Sequence, residues 1–171
     1  MKKTKRVKLY KLLLGSFILL SLNSQLFATE SQKETETVTS SSIITQKVEG
    51  KYFEVVQNIR SAILGKGINI AHELHASDML QRTAPAYGYS KTVYSNAEIL
   101  EFCSAALSQK LSRINPANIV MCPFTIGVYA LADEPNVVYI NYQVPRGKPG
   151  TEAVEEEIKE LISGIIEDAA W

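Results

Sequence analysis

Phe124-Thr125-Ile126-Gly127-Val128-Tyr129-Ala130-Leu131-Ala132-Asp133-Glu134-Pro135-Asn136-Val137-Val138-Tyr139-Ile140-Asn141-Tyr142-Gln143-Val144 is the stretch that decides the fold. In its first half Phe124, Ile126, Val128 and Ala130 recur every second residue; in its second half Val138, Ile140, Tyr142 and Val144 do the same. A period of two places each set on one face of a β-strand. Between them Ala132-Asp133-Glu134-Pro135-Asn136 has the composition of a turn, so the two strands fold back on each other as an antiparallel hairpin.

The flanking segments read outward from this hairpin. After it, the loop Pro145-Arg146-Gly147-Lys148-Pro149-Gly150 leads to a cap at Thr151 and a closing helix to about Ala170. Val154, Ile158, Leu161, Ile162 and Ile165 form its core face, and Glu155, Glu156, Glu157 and Glu160 are expected on a solvated outer face. Before the hairpin, Ser104 caps a helix running to Ile114, with Leu107, Leu111 and Ile114 on one side. Asn115-Pro116 ends it, because a residue preceding proline avoids the helical region. Ala97–Phe102 reads as a strand. Residues 76–92 read as a short helical turn around Asp78–Arg82 followed by a loop rich in Pro, Gly and Tyr. Ile68–Leu74 reads as a half-buried strand with Ile68, Ile70, His72 and Leu74 on one face. A helix over Tyr52–Leu64 carries the apolar stripe Tyr52, Val55, Val56, Ile59, Ala62 and Ile63, and Gly65 and Gly67 stop it. Ile43–Val48 opens the domain as a strand. Helices and strands interspersed around an antiparallel hairpin define an α+β layer packing.

The N-terminus carries a different message. Lys2, Lys3, Lys5, Arg6, Lys8 and Lys11 precede the apolar run Leu12–Leu20, and Ala28 follows at signal-peptidase distance. This is the pattern of a secretory signal peptide over residues 1–28, too short in its apolar part for a stable membrane anchor. Residues 29–42 are a polar, low-complexity spacer, expected to be disordered, and residues 43–171 form one domain. Cleavage would remove six of the 18 basic residues and none of the 18 acidic ones, leaving a net charge of −6. That balance argues against a nucleic-acid partner, whose binding rests on Lys and Arg neutralising phosphate. A periplasmic or secreted protein is expected. With 46% hydrophobic residues and only two cysteines, its stability must come from packing rather than from a disulfide framework.

Those cysteines admit three readings. Cys103 ends a strand just before a helix, where the helix N-terminus favours a thiolate, and Cys122 precedes Pro123 at the entrance to the hairpin. They would form a bridge worth about 3 kcal/mol in the chain-entropy model, or remain buried unpaired thiols, or serve a redox or metal role. His72 and His75 with Cys103 and Cys122 make a chemically sensible zinc or copper set. On a strand, however, the two histidines point to opposite faces, and ordinary strand-edge histidines are the simpler reading. Tyr129 and Tyr142, with Cys103 and Cys122, are the candidate ligand-binding residues: aromatics around a concave sheet would line a pocket for a small apolar or planar ligand. No GxSxG, phosphate loop, nucleotide fingerprint or paired acid–base motif is present, so neither enzymatic activity nor a cofactor is expected.

Glu101-Phe102-Cys103-Ser104, Asn115-Pro116 and Cys122-Pro123-Phe124-Thr125-Ile126-Gly127-Val128-Tyr129 together resemble the domain of unknown function 302 family, over roughly residues 45–170. The resemblance implies an antiparallel sheet covered by helices, in the general manner of TATA-binding-protein-like folds, and often a homodimer; it implies no activity. The expectation is therefore an exported, non-catalytic binding or accessory module. The alternative is a thiol-redox or metal-handling protein using Cys103 and Cys122.

Overall fold

The computed structural model describes residues 43–169; the expected signal peptide and spacer lie outside them. Its strands are β1 (Ile43–Glu49), β2 (Ile70–His75), β3 (Tyr94–Phe102), β4 (Phe124–Leu131) and β5 (Glu134–Gln143). Its helices are α1 (Tyr52–Gly65), α2 (Ala76–Thr83), α3 (Ala105–Ile114) and α4 (Glu152–Asp168), with 3-10 turns at Ala84–Tyr87 and Pro116–Met121. The five strands form one sheet in the order β1-β5-β4-β3-β2, with every neighbouring pair antiparallel. This is the α+β class the patterning predicts.

The hairpin is the centre of that sheet, and its alternation is realised without exception in β4. Phe124, Ile126, Val128 and Ala130 are at most 2% exposed, and the residues between them are half-buried on the other face. The turn is tighter than its composition suggests: Leu131 pairs with Glu134, leaving two residues in the loop. Pro135 consequently falls inside β5. It is tolerated because the ladder to β1 ends at Val137 and the ladder to β4 is irregular just there, so its missing N–H interrupts no bond. On the core face, Ile59 and Ile63 of α1, Leu111 of α3, and Ile158, Ile162 and Ile165 of α4 pack with Leu100, Phe102, Ile126, Val138 and Ile140 in a single cluster. The apolar area removed from water there, at about 25 cal/mol per Å², is the main force holding helices to sheet.

Three elements depart from expectation. In β2 the register slips between Ile70 and His72, so the predicted common face breaks. Ile70 pairs with Phe102 and Glu73 with Leu100 on the core side, whereas His72 and Leu74 pair with Glu101 and Ile99 on the other. The segment at Asp78–Arg82 is two turns of helix, not one. Glu155, expected in solvent with its neighbours, is only 7% exposed. Its Oε1 accepts from the Gly147 N–H at 2.8 Å and from Thr151 Oγ1 at 2.7 Å, which folds the 145–150 loop onto the start of α4.

Candidate functional site

The face of the sheet turned away from α1 and α4 carries a row of tyrosines. Tyr129 of β4 and Tyr139 of β5 are cross-strand partners, and their rings stack with centroids 5.0 Å apart at 9°. Tyr94, at the start of β3, meets Tyr129 edge-on at 5.4 Å and 75°. Such pairs add to the burial energy of the rings. Lys47 of β1 lies 5.7 Å above the Tyr139 ring. The Tyr139 hydroxyl donates to Glu134 Oε2 at 2.6 Å, and this bond, with partial burial and the Glu134 charge, pushes the phenol up to about 12. Tyr142 is not part of the row. Strand alternation points it to the core face, where it is 8% exposed and burial raises its pKa. The two tyrosines singled out by sequence are thus on opposite sides of the sheet.

The row ends at a pocket. Tyr94 is also one wall of a cavity of about 420 Å³ enclosed by α2, the Ala84–Tyr87 turn and the loop to β3. Met79, Leu80, Tyr87, Tyr89 and Val93 complete its apolar lining. The chain closes this cavity because Gly88 adopts φ +77°, a left-handed geometry that costs glycine nothing. The Gly88 N–H then bonds Pro85 O at 3.1 Å and the Tyr89 N–H bonds Ala84 O at 3.0 Å, turning the tyrosine-rich loop back over α2. Leu80, Tyr87, Tyr89 and Val93 are all exposed, an arrangement soluble domains keep small unless something occupies it.

The cysteines form the second feature. Pairing of Phe102 with Phe124 brings the end of β3 beside the start of β4, so Cys103 and Cys122 face each other with Cα atoms 5.9 Å apart and are joined by a disulfide. Both are half-buried. The unpaired-thiol reading is therefore corrected. Cys103 lines a second cleft of about 600 Å³ with Lys66, Asn69, Ser104 and Leu161. Ser104 caps α3 as predicted, accepting from the Leu107 N–H at 3.4 Å.

The metal set is not assembled. His72 lies on the outer face of β2 and His75 on the core side opposite Glu98, with Nδ1 3.7 Å from Glu98 Oε1. Both sulfurs of Cys103 and Cys122 are committed to their bridge. Among the described residues no group of three or more His, Cys, Asp or Glu is placed to hold a metal ion.

Two polar groupings carry no sequence signal at all. Arg60 of α1 binds Glu73 of β2 through Nε at 2.9 Å, which holds the Glu73 carboxyl below the usual carboxylate range. Beside them Glu98 Oε2 is buried without a hydrogen-bond partner, 3.8 Å from Arg60 Nη2. Elsewhere, buried Asn118 donates to Leu111 O at 3.1 Å and accepts from the Lys148 N–H at 2.9 Å, joining α3 to the 145–150 loop. Both depend on partners 7 to 30 residues distant along the chain.

A single antiparallel sheet with α1, α3 and α4 packed on one face, a bridged pair of cysteines at one sheet end and an aromatic pocket beneath α2 at a sheet corner define an α+β domain. Residues 44–169 match the family described as Domain of unknown function DUF302, and the chain belongs to that family. The crystal structure of the uncharacterized conserved protein DUF302 from Bacillus stearothermophilus has the same fold, with a TM-score of 0.62 at 15% sequence identity, covering 76% of this chain and 99% of that one. No curated protein matches the sequence.

Proposed function

We propose that this domain is an exported, non-catalytic module that binds a small apolar ligand in the pocket between α2 and the start of β3. The observation that carries the reading is the exposed apolar lining of Met79, Leu80, Tyr87, Tyr89 and Val93, continuous through Tyr94 with the stacked Tyr129 and Tyr139. Its volume is in the range of cavities that hold small molecules, from about 300 to 1,000 Å³. The wall bears no His, Cys, Asp or Glu, which favours binding over acid–base or nucleophilic chemistry there. Export is supported by the pattern of residues 1–28 and by a disulfide, which persists in oxidising compartments.

Titration of the protein with the neutral fluorophore phenylnaphthylamine tests this. Saturable one-to-one binding is expected, and Leu80→Asp should weaken it at least about tenfold, since a carboxylate would be placed against an apolar body. Leu80 is 44% exposed, so the unfolding midpoint should stay in place. Binding unaffected by Leu80→Asp overturns the assignment.

The half-buried bridge beside a cleft favours a second reading, thiol–disulfide exchange. A thiolate of a dithiol partner would attack Cys103 Sγ, releasing the Cys122 thiolate. The partner's second thiol would then resolve the mixed disulfide, leaving the partner oxidised and both protein thiols reduced. This reading expects the bridge to open under a dithiol while the protein stays folded. A bridge reduced only after unfolding sinks it.

A further inference from the structure

We infer that the ligand of the α2–β3 pocket is an apolar monoanion, an aliphatic or aromatic body bearing one carboxylate or sulfonate that is received by Lys91. The inference rests on the pocket reading above and adds the sign of the ligand's charge. Lys91 is the single charged residue on the wall, and no carboxylate faces it there. Lys47, Lys51, Lys66, Lys110 and Lys159 each meet a carboxylate within 4 Å, whereas Lys91 and Lys148 have no ion-pair partner among the described residues, and of these two Lys91 lies on the pocket wall. In a domain with an excess of acid, a lysine left unpaired beside an apolar cavity is positioned for a negative charge from outside.

The hydroxyls on the wall sharpen this. Ser77 Oγ donates to Ala97 O at 3.5 Å, and Thr83 Oγ1 donates to Met79 O at 2.9 Å, so both are committed to backbone. Lys91 is the one cationic donor on the wall, beside the neutral polar groups of Thr92, Gln81 and the tyrosine hydroxyls, while Met79, Leu80 and Val93 offer only apolar surface. A cationic ligand would find tyrosine rings, but it would meet Lys91 with no acid to neutralise either charge. A neutral ligand would fill the cavity and leave the lysine unused. Among these ligand classes, a monoanion satisfies both the lining and its one charge.

Anilinonaphthalene sulfonate and phenylnaphthylamine share one aromatic skeleton and differ in the sulfonate, so their comparison isolates the charge. At low salt the sulfonate should bind about three- to tenfold more tightly, the scale of a charge-assisted contact at a partly exposed site. Lys91→Gln should abolish that preference and Lys91→Glu reverse it, read as the ratio of the two probe affinities within each variant. The preference should also shrink in about 1 M salt, where the screening length falls to about 3 Å. Equal affinity of the two probes for the unaltered protein, or a preference that survives Lys91→Gln, overturns the inference while the pocket reading stands. Loss of binding by both probes, or binding by both that ignores Leu80→Asp, instead overturns the pocket reading itself.

Discussion

At the scale of single residues, the informative groups are polar side chains whose surroundings contradict their usual preference. Glu155 sits in a run of four acidic residues in six from Glu152, yet it is buried and accepts two hydrogen bonds at the head of its helix. Removing the carboxylate would leave the Gly147 N–H and the Thr151 hydroxyl without that acceptor. Glu155→Ala should therefore cost about 2–3 kcal/mol in urea denaturation, the penalty for orphaned buried partners of a charged group. Glu156→Ala, on the exposed side of the same turn, should cost less than about 0.5 kcal/mol. Arg60 and Glu73 make a pH-dependent contribution. The guanidinium stabilises the Glu73 carboxylate and lowers its folded pKa, so the stabilisation is complete above the unfolded value near 4.5 and is lost as pH falls through the folded one. Because both partners are partly exposed, no more than about 1 kcal/mol is at stake. Glu73→Gln should flatten the decline in stability below pH 4.5 relative to the unaltered protein; parallel acid limbs would show that the pair contributes nothing.

At the scale of elements, the 145–150 loop shows how a turn is held by both its ends. Gly147 lies so close to its neighbours that an added Cβ would stand 2.7 Å from Met121 Sδ and 2.8 Å from Thr151 Oγ1. Gly147→Ala should destabilise the domain by about 1–3 kcal/mol, the cost of overpacking a site that cannot relax freely. Gly65, at the end of α1, has open space where a Cβ would go, and its replacement by Ala should be neutral or stabilising in the same thermal melt. If both substitutions behave alike, close packing at the loop is not what holds it. The β2 strand teaches the complementary lesson. One irregularity between Ile70 and His72 moved two residues to a different face, which no count of alternation along six residues reveals.

At the scale of the whole molecule, α1, α3 and α4 gather on one side of the sheet and share its core cluster, whereas α2 packs on β3 beside the tyrosine row, so the row and its pocket belong to the other side. The core cluster draws on residues from Tyr52 to Ala169, and the pocket on residues 77–94. A chain trimmed to residues 38–171, which contains both, should keep the unfolding midpoint and probe binding of the full-length chain. A fall of more than about 5 °C in Tm, equivalent to roughly 1 kcal/mol or more for a domain of this size, would show that the preceding segment contributes to the fold. Much of the fold was legible in advance at this scale: the central hairpin, α1, α3, α4 and the α+β class all follow from local periodicity. The candidate site was less legible: Met79, Leu80 and Lys91 carry no local signal that sets them apart from ordinary helix and loop surface, since a pocket is a relation between segments rather than a property of one.

What the amino-acid sequence determined by itself was whatever depends on near neighbours: the two-residue rhythm of β4 and β5, the helical stripes of α1 and α4, the Ser104 cap and the stop at Asn115-Pro116. These obey geometry within a few residues of chain, so they can be read locally. Only the tertiary structure decided which side chains meet. The register of Phe102 with Phe124 chose a bridge for Cys103 and Cys122 over thiols or metal. The facing of β4 and β5 joined Tyr129 to Tyr139 and sent Tyr142 into the core. The return of the 88–93 loop over α2 made a cavity and left Lys91 at its rim. Each outcome depends on contacts between residues distant in sequence, whose energies act only once the sheet has brought them together.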